Sequence, residues 1–158
     1  MYKFISRSCQ HLPDDLVFID TNACPGYRIL LERDLTELAS VAQAGAWKAS
    51  LLLAGSVLEG LLYCFLKRNE DYIRSVKTKP SFVVNRNGGD INSYKALFEE
   101  CFPYWGRGFI PNDVRYYRDM IHPASELRVA HVPASQVVVR QALLSVSNVV
   151  DAFNRFQY

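Results

Sequence analysis

The sequence predicts an all-α fold, an antiparallel helical bundle of about five helices. Three observations lead there. Apolar residues recur at three- and four-residue spacing through segments long enough to be helices. One of these segments, "ASLLLAGSVLEGLLYCFL", is apolar on nearly all sides, as a helix at the centre of a bundle must be. Clusters of Pro, Gly, Asn and Asp separate the segments, and none of the gaps is long enough to divide the chain. The 158 residues suit one domain, 1–158, with a core of its own; a chain with 49% hydrophobic and 22% charged residues is globular in composition, not disordered.

Residues 1–23 read as an irregular N-terminal segment with turn signals at "HLPDD" and "DTNACPG". From about Tyr27, Leu31, Leu35, Leu38 and Ala42 recur at helical spacing while Glu32, Arg33, Asp34 and Glu37 occupy the other face, until Gly45 interrupts. A second helix runs from Ala46 to about Arg68. Its small residues Ala54, Gly55 and Ser56 permit close approach of a neighbour, and Lys67 and Arg68 suit its C-terminal dipole. Residues 76–90 read as a loop. Asp90 or Asn92 caps a third helix, "INSYKALFEECF", which "PYWGRGFIP" breaks. Asn112 or Asp113 caps a fourth, which ends near Ile121 because Pro123 disfavours helical geometry at His122. After the connector "ASELRVAHVPAS", a fifth helix runs from about Gln136 to Phe156, although its opening "VVV" would also suit a strand.

The net charge of +2 is too small to indicate nucleic-acid binding without a local basic patch. Cys9, Cys24, Cys64 and Cys101 contain no C-x-x-C pair, and His11 and His131 lack ligands at metal spacing, so no metal site or cofactor is expected. The opening "MYKFISRSCQ" has no apolar signal core. The thiols are expected to be reduced and the protein cytoplasmic. Glu59, inside the long apolar segment, favours a core helix over a membrane span.

The segment "RYYRDMIHPA" concentrates chemistry. On a helix, Arg115, Arg118 and His122 share one face, and Asp119 can pair with Arg115 or His122. Seven residues of rise separate Arg115 from His122 by roughly 10 Å, about the span of a phosphodiester unit. Arginine offers a planar fork to phosphate oxygens, and histidine exchanges protons near neutrality. These are the parts for metal-free RNA cleavage, in which a base deprotonates a ribose 2′-OH and cations stabilise the charge on phosphorus. The same residues are also compatible with an ordinary solvated helix face. Around this segment, Trp105 and Arg107 in "FPYWGRGF" can stack on bases or cap a small core, and Lys77 and Lys79 can form a basic rim or be simply solvated.

"DVRYYRDMIHPASELR" resembles the "LR-x-YRN-x-IHP" signature of bacterial helical proteins in the HEPN superfamily, whose motif is an arginine, four to six residues, then a histidine. Arg115 to His122 has that spacing; Arg118 to His122 does not. "GAWKASLLLAGSVLEGLL", residues 45–62, resembles the first-helix signature of the same group, including its embedded glutamate, here Glu59. The resemblance implies a homodimer whose motif helices face each other across a composite cleft. It also implies an RNA or nucleotide ligand and, in toxin–antitoxin or phage-defence settings, an antitoxin or other protein partner. Many relatives are metal-independent endoribonucleases; others only bind nucleotides or act as helical adaptors. This chain departs from the signature at Asp119, where the group usually has asparagine. The carboxylate can orient His122, or it can neutralise Arg115 or Arg118. Glu59 is expected to pair with one of these arginines, either to lock two helices together or to orient the site.

Overall fold

Helix α2, Trp47–Arg68, is the axis of the molecule. The computed structural model describes residues 16, 19, 22–76, 91–105, 110 and 134–156. Within them lie α1 (Tyr27–Gln43), α2, α3 (Glu70–Val76), α4 (Ile91–Cys101), a 3-10 turn (Pro103–Trp105) and α5 (Gln136–Arg155), with no strand among the described residues. The all-α architecture is as expected. The expected fourth helix, the loop after Val76 and the connector before Ala134 lie outside the described residues.

α2 packs against α1, α4, α5 and α3, and this explains its apolar circumference. Leu51, Ala54, Val57, Leu58, Leu61, Leu62, Cys64 and Leu66 are fully buried along it. It is long and apolar enough to cross a membrane, yet 67% of its apolar window is buried within the fold. Its partners are amphipathic. α1 buries Leu31, Leu35, Leu38 and Ala42, the residues its sequence period selects, and keeps Arg33, Thr36 and Glu37 outside.

The hinge between α1 and α2 follows from one glycine. Gly45 has φ +76, a conformation that side chains with a Cβ resist. Its N–H donates to the Ala42 carbonyl, and the Ala46 N–H donates to that of Val41. This is the double bond pattern that closes a helix at a left-handed residue. The chain reverses, and α1 runs back along α2. Close approach of the pair occurs at Gly60, where a Cβ would stand 2.8 Å from Leu31 Cδ2. Of the small residues expected to admit a neighbour, Ala54 and Gly55 are buried and Ser56 is exposed.

One element departs from the expectations drawn from sequence, and one boundary left open by it is settled. Residues 70–76 form α3, a short helix that the hydrophobic period does not reveal. Asn69 makes the break: its side-chain amide donates to the Phe65 carbonyl at 2.8 Å, while its own carbonyl accepts from the Ile73 N–H at 3.0 Å and starts the next helix. Glu70 pairs with Lys67 across the joint and with Arg74 at 2.7 Å. The Lys67 hydrogen bond, aided by Arg74 and opposed by partial burial, holds the Glu70 carboxyl below its ordinary range. At the start of α5, "VVV" is helical, not a strand. Ser135 Oγ accepts from the Val138 N–H at 3.5 Å, and Val139 is buried while Val137 faces out.

An aromatic cluster closes one end of the core. Phe65 stacks on Phe153 with centroids 4.0 Å apart and meets Phe98 and Phe102 edge-on at 5.7 and 5.2 Å. Thus α2 and α5 meet near their C-terminal ends, and α4 covers the contact. Phe65→Ala removes the ring shared by all three helices. It should destabilise the fold by about 3–5 kcal/mol, read as a lower denaturant midpoint at constant slope.

Candidate functional site

Of the residues singled out from the sequence, Arg115, Arg118, Asp119, His122, Arg107, Lys77 and Lys79 lie outside the described residues. Glu59 and Trp105 lie within them. They occupy different parts of the bundle surface, and their surroundings differ in chemistry.

Glu59 sits in the C-terminal half of α2, on its least covered side. Leu52, Ser56, Glu59 and Tyr63 follow one another at four-, three- and four-residue spacing; Ser56 is exposed, Leu52 and Glu59 are half-buried, and Tyr63 is buried. A carboxylate is tolerated in this apolar helix because its position looks out of the core. The segment matched to the first-helix signature, residues 45–62, spans the Gly45 turn and the first four turns of α2.

Around Tyr27 and Tyr63 the fold gathers ionisable groups from three segments. Tyr27, at the start of α1, stacks on Tyr63 with centroids 4.9 Å apart. Tyr63 in turn leans on Tyr94 of α4 at 5.8 Å. Cys24, in the turn before α1, shares a thiol–thiol hydrogen bond with Cys64 of α2. Burial, seconded by Tyr63, Cys64, Cys24 and Glu59, pushes the Tyr27 phenol above the ordinary tyrosine range. The hydrogen bond to Cys24, together with burial, pushes the Cys64 thiol far up, so it stays protonated. Nothing in the sequence signals this gathering. Cys24 and Cys64 are far apart in the chain, and only Tyr27 and Tyr63 lie on helices whose apolar period points toward each other.

Trp105 belongs to the aromatic end. Its ring lies 5.2 Å from Phe156, 5.9 Å from Phe98 and 6.0 Å from Phe153, and it is half-buried. This is the core-capping arrangement of the two open from the sequence. Tyr104, its neighbour on the same turn and in the same "FPYWGRGF" stretch, is fully exposed. Among the described residues no group of three or more His, Cys, Asp or Glu side chains is placed to hold a metal ion.

The chain matches no family model, and no curated protein or solved structure shows significant similarity to it.

The Tyr27 shift sets a pH dependence. A phenol whose folded value lies above its unfolded value stabilises the fold fully below about pH 10, and that contribution is lost as pH rises through the folded value. Tyr27→Phe should therefore flatten the alkaline limb of the stability curve above pH ~10 and leave it unchanged at neutrality, as measured by urea denaturation across pH.

Proposed function

We propose that this protein is a HEPN-like, metal-independent endoribonuclease, acting as a homodimer in which two copies of the "RYYRDMIHP" segment form one site. The observation that carries the reading is the Arg115-to-His122 spacing, found in one chain with a glutamate-bearing, apolar first-helix signature. An all-α bundle with that glutamate on the half-open side of its central helix is compatible with it.

In the proposed reaction, His122 takes the proton of a ribose 2′-OH. The alkoxide attacks the adjacent phosphorus, and the bond to the 5′-oxygen breaks as that oxygen receives a proton. Arg115 holds the phosphate and stabilises the charge that builds on its oxygens. Arg118 assists or pairs with Glu59, and Asp119 orients His122. Arg107, Lys77 and Lys79 are the proposed contacts to the remainder of the strand. The products are a 2′,3′-cyclic phosphate and a free 5′-hydroxyl. Such an enzyme fits a toxin–antitoxin or phage-defence setting, where a protein partner would restrain it.

The test is cleavage of single-stranded RNA by purified protein in EDTA. RNA should be cut to cyclic-phosphate ends, RNA with 2′-O-methyl at the cut site should resist, and His122→Ala should lower the rate by roughly a hundredfold or more. Equal cutting by His122→Ala would place the activity elsewhere.

Asp119 favours a second reading. A carboxylate beside a phosphate site repels the substrate, and with Asp119 ion-paired to Arg115 or Arg118 the domain would be a non-catalytic dimeric module that binds a nucleotide or a protein. Nucleotide binding at Arg115 and His122 without cleavage, and cleavage gained by Asp119→Asn, would select it.

The proposed pairing of Glu59 with the motif is tested separately by double-mutant cycles of Glu59→Gln with Arg115→Ala and with Arg118→Ala. One of the two should show a coupling of about 0.5–3 kcal/mol in stability. Additivity in both would detach Glu59 from the motif segment.

A further inference from the structure

Three phenols from three helices meet on one side of the core. Tyr27 opens α1, Tyr63 lies in α2 and Tyr94 in α4. Tyr63 is the middle ring. It stacks on Tyr27 with centroids 4.9 Å apart and planes 28° from parallel, and it meets Tyr94 at 5.8 Å and 57°. Tyr63 and Tyr94 are each 7% exposed, while Tyr27 is half-buried and reaches solvent. The trio thus contains one phenol pair in face contact, with one member at the surface and the other sheltered behind it. Stacked rings stabilise a core whatever their chemistry. Phenylalanine would pack as well, as it does around Phe65, and would bring no hydroxyl that needs a partner. The hydroxyls of the trio are what packing does not require.

We propose that Tyr27 and Tyr63 form an oxidative modification site, at which peroxyl radicals join the two stacked rings as dityrosine and so tether α1 to α2. The inference is independent of the ribonuclease reading. The half-buried Tyr27 phenol gives an electron and its proton to a first peroxyl radical, which leaves as the hydroperoxide. An electron then crosses the stack from Tyr63 to Tyr27 and a proton follows, so the unpaired electron moves inward and Tyr27 is restored. A second peroxyl radical oxidises Tyr27 again. Two phenoxyl radicals now lie face to face. Their unpaired density occupies p orbitals perpendicular to the rings and is large at the carbons ortho to oxygen, so stacked rings can couple there. One carbon–carbon bond forms. The hydrogen on each bonded carbon moves to the oxygen of its own ring, and both rings are phenols again. Overall, two phenols and two peroxyl radicals give one dityrosine and two hydroperoxides. At 57° the p orbitals of Tyr94 point away from those of Tyr63, so the same geometry selects Tyr27 over Tyr94. The site needs no opening of the fold, because only Tyr27 has to meet the oxidant. The link closes a loop of 36 residues, 63 minus 27, and so restricts the unfolded chain.

The experiment exposes the full chain to peroxyl radicals, generated in air from a water-soluble azo initiator, and then digests it. Mass spectrometry should find the Tyr27 and Tyr63 peptides joined and lighter than their sum by two hydrogens, and the blue emission of dityrosine should rise in step. The rate of this link should not change with protein concentration. Links through the fully exposed Tyr104 form by collision between chains and should grow with concentration. The linked protein should melt higher by on the order of 5 °C. Tyr27→Phe and Tyr63→Phe keep the rings, and each should abolish both the link and the rise, while Tyr94→Phe and Tyr104→Phe keep both. A Tyr63–Tyr94 link in place of Tyr27–Tyr63, or hydroxylation of Tyr27 with Tyr63 unmodified, would overturn the proposal. So would oxidation of Tyr104 that leaves Tyr27 and Tyr63 intact. Each of these products is read directly from the wild-type chain, so the test holds even if a variant fails to fold.

Discussion

A helix such as α2 is stable in water only when nearly every side of it is covered, and the rest of the fold is arranged to supply that cover. Eight of its apolar side chains have no exposed surface at all, while α1 and α5 each bury one stripe and leave the opposite side exposed. The amphipathic partners satisfy their apolar faces on a helix that has no polar face to offer. Removing α2 would leave each of them without an apolar counterpart. The turn at Gly45 matters for the same reason: it returns the chain along α2 after only three residues, and the Gly60 position then lets α1 settle close against it.

Three consecutive residues of α2 serve three different partners. Successive side chains on a helix point about 100° apart. Tyr63 therefore meets the tyrosines of α1 and α4, Cys64 meets the turn before α1, and Phe65 meets α5 and the end of α4. The core is thus graded around this point. One sector is aromatic and dry; the other carries phenols, thiols and, one turn earlier, Glu59. The one carboxylate of α2 sits on the side that the described helices cover least.

The proposed function depends on how that side is completed. Glu59 supplies a carboxylate at the edge of the core, and the "RYYRDMIHP" segment carries two arginines, an aspartate and a histidine. With two carboxylates and two guanidiniums in play, charge balance decides between catalysis and simple binding. If Glu59 takes one arginine and Asp119 holds His122, Arg115 is left to meet phosphate. If Asp119 takes Arg115, the cleft is neutral and the segment becomes a binding surface. The same four groups can support either outcome, because ion-pair choice rests on a few ångströms of side-chain placement.

Much of the fold was legible in the chain. The buried set of α1, Leu31, Leu35, Leu38 and Ala42, is the set its period selects, and the all-round apolarity of 47–68 marked the central helix. These follow from hydrophobic periodicity, a local property. The short helix α3 was not legible, because seven residues are too few for a period and its start rests on hydrogen bonds made by Asn69. The helical state of "VVV" depended on a cap and on packing against α2, which override β propensity. For the candidate site, residue types and the Arg115-to-His122 spacing were written in the sequence, as was the unusual glutamate in an apolar helix. What only the tertiary structure decided was which distant residues touch: Trp105 joining the phenylalanine cluster, Tyr27 stacking on Tyr63, and Cys24 meeting Cys64. Spacing along a chain specifies neighbours within one helix, whereas contacts between helices depend on crossing geometry and side-chain volume, which no local pattern encodes.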